Sequence, residues 1–461
     1  MRGLEKIGTL TRKSADQIGN SRLGIGFEKL DRNVFDPEPA YDKLAQIGVK
    51  WVRLQSGWQR TERVRGVYDF SWLDSIVDRL LSLGMIPWIC LCYGNELYNK
   101  EAETVFGAVG IPPIFNDDQK TGWRNYVTAL VSRYRGKVGL YEVWNEPDGK
   151  WCWKHGVNAT ELGLFTIDTA KAVKAADPSA KVAGPALAKD QAFLSLALST
   201  GMAEVIDAVT YHAYLPQEAD LIQHTRAMRS VCDLWNPSLG LIQGESGTQS
   251  RSDGAGALKQ GEWDEKKQAK YLLRHLVTDL SFDVRFASWF STLDMIEALN
   301  GTVGDRASYL DYGYFGVLGA DFDEDGRATG TYTPKPSYYA LSNLASLFAD
   351  AGEPDTLSAV FRPEAKTRYW LEPDLGPEGV LQFSFKLRNG SKTLAFWHPS
   401  DVLTTDYEGT VSFKICRRPG IPMSILDPFD GSVYQIGEEY MREWPSGCVS
   451  FTHVPIKDYP L

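Results

Sequence analysis

Short apolar runs that close on turn-forming residues alternate along most of this chain with longer stretches of helical period. The runs are RLGIGFE (22–28), KWVRLQS (50–56), MIPWICLCY (85–93), GLYEVWNE (139–146), AKVAGPA (180–186), AVTYHAY (208–214), GLIQGES (240–246) and RFASWFS (285–291). Most are rich in apolar residues on both alternating faces, as expected of strands buried on both sides. Between them, DPEPAYDKLAQIG sets Ala40, Leu44 and Ile47 at helical spacing and closes on Gly48, a residue that takes the left-handed cap without strain. FSWLDSIVDRLLSLG puts Leu73, Ile76, Val77, Leu80 and Leu81 on one stripe and ends at Gly84. TGWRNYVTALVSRYRG, TAKAVKAADP and DEKKQAKYLLRHLVTDL repeat the period. Eight strand–helix units predict an α/β fold, a (β/α)8 TIM barrel over residues 1–350 with a short N-terminal arm, in preference to a doubly wound sheet.

After KPSYYALSNLASLFADAGEPD the period moves toward two. VLQFSFKLRNGSKTLAFWHPS reads as a hairpin about Asn389-Gly390, and GTVSFKI and GSVYQIG add strands. Residues 351–461 are expected to form an antiparallel β-sandwich domain.

Composition narrows the picture. The 461 residues are 43% hydrophobic and 12% aromatic, enough for one large core and a smaller one. A formal net charge of −10 speaks against nucleic acid or an anionic membrane surface as partner. No run of 18 apolar residues occurs, so no membrane span is expected. MRGLEKIGTLTRKSADQ lacks the apolar centre of a signal peptide, which predicts a cytoplasmic protein, or a secreted one if a leader has been trimmed. The six cysteines show no metal-ligand spacing and read as small buried thiols. Asp321, Asp323 and Asp325 before Gly326 begin like a calcium loop, but the twelfth position is Tyr332, so an acidic turn is expected and no metal. Neither a phosphate-binding loop nor a dinucleotide fingerprint is present, and no cofactor is predicted. A homo-oligomer is left open.

In a barrel of this kind the active site lies at the carboxyl ends of the strands. Those ends carry Phe27 and Glu28, Arg53 and Gln55, Tyr93 and Asn95, Asn145 and Glu146, His212 and Tyr214, Glu245, and Trp289. Carboxylates, one cation, amides, hydroxyls and indoles suit a neutral polyol better than a phosphate. Two carboxylates flanking a bond hydrolyse a glycoside when one stays protonated and the other attacks the anomeric carbon. Glu146 and Glu245 are the leading pair, and spacing leaves Glu28 open as a third candidate. Arg60, Arg63 and Arg65 in WQRTERVRG form either a cationic cluster or a solvated turn.

VWNEP followed by QGES resembles the retaining glycoside hydrolases of clan A. GIGFEKLDR, GVKWVRLQSGWQRTERVRGVYDFSWLD and PKPSYYALSNLASLF narrow the resemblance to glycoside hydrolase family 39, over roughly residues 20–350. That family's members include β-xylosidases and α-L-iduronidases on a (β/α)8 barrel with an appended β-sandwich. The resemblance implies Glu146 as general acid/base and Glu245 as nucleophile. It implies that Asn145 binds the hydroxyl next to the anomeric carbon and that Tyr214 hydrogen-bonds Glu245. It further implies that His212 lines the same wall, that Arg53 sits beside the nucleophile, and that Trp289 is the sugar platform. The expected substrate is an oligosaccharide or polysaccharide end. An endo-acting glycanase, a transglycosylase and a non-catalytic carbohydrate-binding barrel are the alternatives.

Overall fold

A computed structural model of the chain describes residues 1–461 save 2, 189, 351, 364–378 and 417–422, together with the side chain at 363. Eight parallel strands close into a barrel: β1 Leu23–Gly26, β2 Trp51–Gln55, β3 Ile86–Leu91, β4 Leu140–Val143, β5 Lys181–Leu187, β6 Ala208–His212, β7 Gly240–Ser246 and β8 Val284–Trp289. Closure is made at β1, where Gly24 lies opposite Trp51 on one side and Leu23 opposite Ala287 on the other. Each predicted strand is present, shortened at its carboxyl end in most cases. The residues trimmed there leave the hydrogen-bond ladder to aim side chains into the barrel mouth.

The surrounding helices are α1 Tyr41–Ile47, α2 Ser71–Ser82, α3 Asp117–Arg133, α4 Ala159–Ala176, α5 Gln191–Leu198, α6 Glu218–Trp235, α7 Glu265–Leu280 and α8 Pro336–Leu347. Asn116, Asn158, Asp190 and Asp264 cap α3, α4, α5 and α7 by accepting backbone N–H groups, each cap contributing ~1 kcal/mol. The amino end of the barrel is plugged by Trp88, Leu140, Ala183, Ala208, Ile242 and Phe286. Trp51 stacks on Phe286 at 4.5 Å. This apolar plug forms the floor beneath the polar residues above it, and the Arg53 guanidinium lies 5.4 Å over the Trp88 ring.

The C-terminal region is antiparallel. Glu353–Pro354, Leu381–Lys386 and Lys392–Trp397 make one sheet, with the predicted hairpin turning at Gly390. Val360–Pro363, Glu408–Cys416, Cys448–Lys457 and Met441–Glu443 make another. A third joins Ser432–Gln435 and Ser424–Asp427 to the N-terminal strand Glu5–Thr9, with Glu5 opposite Gln435. A buried ion pair, Lys270 on α7 to Asp458 at 2.6 Å, ties this region to the barrel; Arg274 on α7, paired with Glu218 on α6, donates to the Ser400 carbonyl at 2.7 Å. Trp397 also donates to Glu218, at 3.1 Å.

One expectation needs correction. Cys416 and Cys448 are not thiols but a disulfide across facing residues of adjacent strands, while Cys90, Cys92, Cys152 and Cys232 are the buried thiols expected. Their separation of 32 residues carried no signal, because only strand pairing brings them together. The segment between β8 and α8 is not one loop but two hairpins, Met295–Ile296 with Tyr312–Gly313 and Leu318–Phe322 with Ala328–Pro334. The acidic turn lies in the second, where Asp323 accepts the backbone N–H groups of Asp325 and Arg327 at 3.0 and 2.9 Å. Among the described residues no helix is long and apolar enough to cross a membrane.

Candidate active site

The chain bends sharply as it leaves β4. Trp144 and Glu146 both take left-handed angles, φ 64° and 42°, which cost a non-glycine residue ~1–3 kcal/mol each. Neighbours hold the bend. The Glu146 N–H donates to the Ala186 carbonyl on β5 at 2.7 Å, and the Trp144 indole donates to the Cys152 carbonyl at 2.7 Å. The Trp144 ring is wedged edge-on between Tyr93, Trp123, Trp153 and Phe165. Thus fixed, the Glu146 carboxylate meets His212 at the end of β6.

β7 supplies Glu245 from the opposite side. Gly244 before it has no room for a side chain, since a Cβ there would fall 2.4 Å from Thr210. His212 Nδ1 lies 2.8 Å from Glu146 Oε1 and 3.4 Å from Glu245 Oε2. One oxygen of each carboxylate and an imidazole nitrogen fall within 4.8 Å of one another. Tyr214 donates its hydroxyl to Glu245 Oε2 at 2.7 Å.

Arg53, wholly buried, ties four strands together. Its Nη1 donates to Glu245 and, at 3.0 Å, to Glu28. Its Nε and Nη2 grip Glu142 Oε2 at 2.9 and 2.5 Å, and Nη2 also donates to Asn145 Oδ1 at 2.8 Å. Burial opposes its charge, but Glu142, Glu28 and Glu245 outweigh that and hold the guanidinium protonated.

The carboxylates differ in environment. Burial alone would raise Glu245, yet the charges of His212 and Arg53 and the Tyr214 hydroxyl hold it below the ordinary carboxylate value. Burial pushes Glu28 up to about 8, with Arg53 opposing and Glu245 adding to the rise. Burial thus works against charge on Glu28, whereas the surroundings of Glu245 favour it. His212 is raised, because Glu245 and Glu146 overcome the burial that would lower it.

Residues 42–291, more than half of the chain, match the glycosyl hydrolases family 39. The chain belongs to that family. Among curated proteins it is 31% identical over 194 residues to a β-xylosidase of Geobacillus stearothermophilus, covering 37% of this chain and 36% of the relative. It is 30% identical over 174 residues to endo-1,4-β-xylanase C of Phanerodontia chrysosporium, covering 34% and 40%. The matched stretches thus span little more than a third of these relatives. A family 39 glycoside hydrolase from Bacteroides cellulosilyticus WH2 shares the fold at 15% identity, with a TM-score of 0.62 over 94% of this chain and 79% of that one. The GH39 enzyme from Xanthomonas axonopodis pv. citri does so at 18% identity and a TM-score of 0.55, over 98% and 94%.

In this family 39 barrel, Glu28, Arg53, Asn145, Glu146, His212, Tyr214 and Glu245 form one connected cluster at the carboxyl ends of the strands. Trp289 does not present a sugar platform: its ring is fully buried, its indole donates to the Phe315 carbonyl at 3.2 Å, and Tyr271 packs edge-on against it. The segment after β8 supplies that carbonyl, while the Phe315 ring packs on Tyr214 and Phe290. Arg65 stands apart, bound by Asp118 at 2.9 Å through both nitrogens and lying over Tyr98.

Sequence reasoning missed four contributors. Glu142, within β4, is the main anchor of Arg53. Trp151, 36% exposed, donates its indole N–H to Glu146 Oε2; Gly149 makes its seat, since a Cβ there would strike the ring at 2.3 Å. Lys29 and Glu297 form a buried pair at 3.2 Å. Trp151 was visible only as part of an aromatic-rich stretch, WCW, and Glu297 lies in the long segment after β8.

Proposed function

We propose that the chain is a retaining glycoside hydrolase acting by double displacement, exo-acting at the end of a β-xylose-bearing oligosaccharide or polysaccharide. One observation carries the mechanism: the Glu146 and Glu245 oxygens lie within 4.8 Å, about one imidazole nitrogen. Retaining enzymes hold their carboxyl groups ~5–5.5 Å apart, whereas inverting ones leave ~6.5–9.5 Å for a water.

Roles follow from environment. Glu245 is held charged by Arg53 and Tyr214 and attacks the anomeric carbon. Among the described residues no guanidinium is paired with Glu146, which gives its proton to the leaving oxygen as that bond breaks. The product is a covalent glycosyl-enzyme. Glu146 then takes a proton from water, whose oxygen attacks the same carbon and releases Glu245, restoring the original configuration. Asn145, next to Glu146 in the chain and oriented by Arg53, binds the neighbouring hydroxyl.

The β-xylosidase similarity supports the substrate and the exo reading, and the hairpins after β8 supply a wall. Similarity to endo-1,4-β-xylanases supports an endo-acting alternative. A panel of 4-nitrophenyl glycosides, with Glu245→Gln as control, tests both. Release of 4-nitrophenol from the β-xyloside, with β-xylose as first product by NMR, is the expected result. An α-anomer as first product overturns the retaining mechanism, and activity confined to polymer overturns exo action.

Tyr214→Phe removes a lowering influence on Glu245. The acidic limb of kcat/KM should therefore move to higher pH, by about one unit, the equivalent of ~1.4 kcal/mol. An unmoved limb means that the hydroxyl does not stabilise the nucleophile's charge.

A further inference from the structure

Beside the catalytic cluster lies a cavity of about 560 Å³ that the mechanism does not use. The segments following β1, β2 and β3 build it. Its wall includes Asp31, Arg32, Gln59, Arg60, Arg63 and Glu96, three cations against two carboxylates.

The charges are not evenly matched in space. Asp31 pairs with Arg32 at 3.4 Å, both side chains almost wholly buried. Arg32 is further held by Gln55 and lies 5.6 Å over the Tyr93 ring. Arg60 is braced by the Leu30 carbonyl and stacks 4.5 Å over Trp72. The lining therefore carries one surplus positive charge; around Arg60, Asp31 and Asp69 attract while Arg63 and Arg327 repel. Gln59 Oε1 is buried without a hydrogen-bond partner among the described residues, and such an acceptor is costly unless a donor arrives. Tyr93 and Phe106 add ring surface.

The cavity and the reaction centre share a wall. The Tyr93 hydroxyl touches Cys152 Sγ at 3.7 Å, and the same sulfur accepts from Asn145 Nδ2 at 3.6 Å.

We propose that the cavity is a subsite for a sugar unit carrying a carboxylate, a uronic acid, next to the unit whose bond is cleaved. A single carboxylate matches the single surplus charge, and guanidinium forks bind a planar carboxylate with two parallel hydrogen bonds. Gln59 Oε1 accepts a hydroxyl of the same unit. The proposal rests on the glycosidase reading, since it takes the ligand to be a saccharide leading into the barrel.

Calorimetric titration of the full chain carrying Glu245→Gln tests it without turnover. The probes are a neutral xylo-oligosaccharide and the same oligosaccharide bearing one glucuronic acid unit. The acidic probe should bind about tenfold more tightly, with the gap narrowing as salt rises. Arg60→Gln should remove the gap and Arg63→Gln reduce it. Arg63 is exposed, so that variant keeps the test valid if Arg60→Gln does not fold. Equal affinities, or a gap that survives Arg63→Gln in full, overturn the subsite. The glycoside panel on the native chain is a separate readout: hydrolysis there with equal affinities here removes only the uronate subsite, whereas no hydrolysis there removes the glycosidase reading.

Discussion

Glu245→Gln is expected to lower kcat/KM by about 10⁴-fold on every substrate that the native chain cleaves, a loss of ~5 kcal/mol of transition-state stabilisation. The amide keeps the shape of the site but cannot form the glycosyl-enzyme. The fold should survive, because Arg53 retains Glu142 and Glu28 as partners, and a buried cation stripped of every partner is what costs most. The smaller Glu245→Ala gives a sharper check. Azide entering the vacated space attacks the face that Glu245 attacked, restoring turnover with a glycosyl azide of inverted configuration. A Glu245→Gln protein within about tenfold of native activity excludes Glu245 as nucleophile.

Glu146→Gln should act unevenly. A substrate with a poor leaving group needs its oxygen protonated, and loss of the general acid costs ~10²–10⁴-fold. A 2,4-dinitrophenyl glycoside leaves without a proton, so its first step should be nearly untouched. The second step still lacks its base, and the glycosyl-enzyme should accumulate, seen as a burst of phenolate. Azide then attacks that intermediate and yields a product of retained configuration, the opposite of the Glu245→Ala outcome. Equal losses on both substrates, with no burst, would remove the acid/base role.

How much of this was legible in the sequence varies by element. Barrel strands were, because burial on both faces writes a continuous apolar run. The helix α5 was not, since QAFLSLAL is apolar nearly all round and shows little periodic contrast. Helix α6 carries Leu221, Thr225, Met228 and Cys232 on its buried side, but two polar or weakly apolar members blur the stripe. In the site, Glu146, Tyr214 and Glu245 stand at or just past strand ends, where the fold itself says to look. Glu142 does not: a carboxylate inside a buried strand makes sense only with Arg53 opposite, and the two are 89 residues apart. Trp289 was misjudged because a strand-end indole reads as an open platform until its full burial and its hydrogen bond to the Phe315 carbonyl are seen.

The strand Glu5–Thr9 left no mark at all. EKIGT is exposed along its whole length, and what fixes it is backbone pairing with Ser432–Gln435. The accessory sheets are consequently not a module hung on one end of the barrel. Swapping them for another module, by recombination or by design, takes two crossovers, one before the barrel and one after it. A single crossover near residue 350 would leave behind an orphan strand whose open edge invites association with neighbouring molecules.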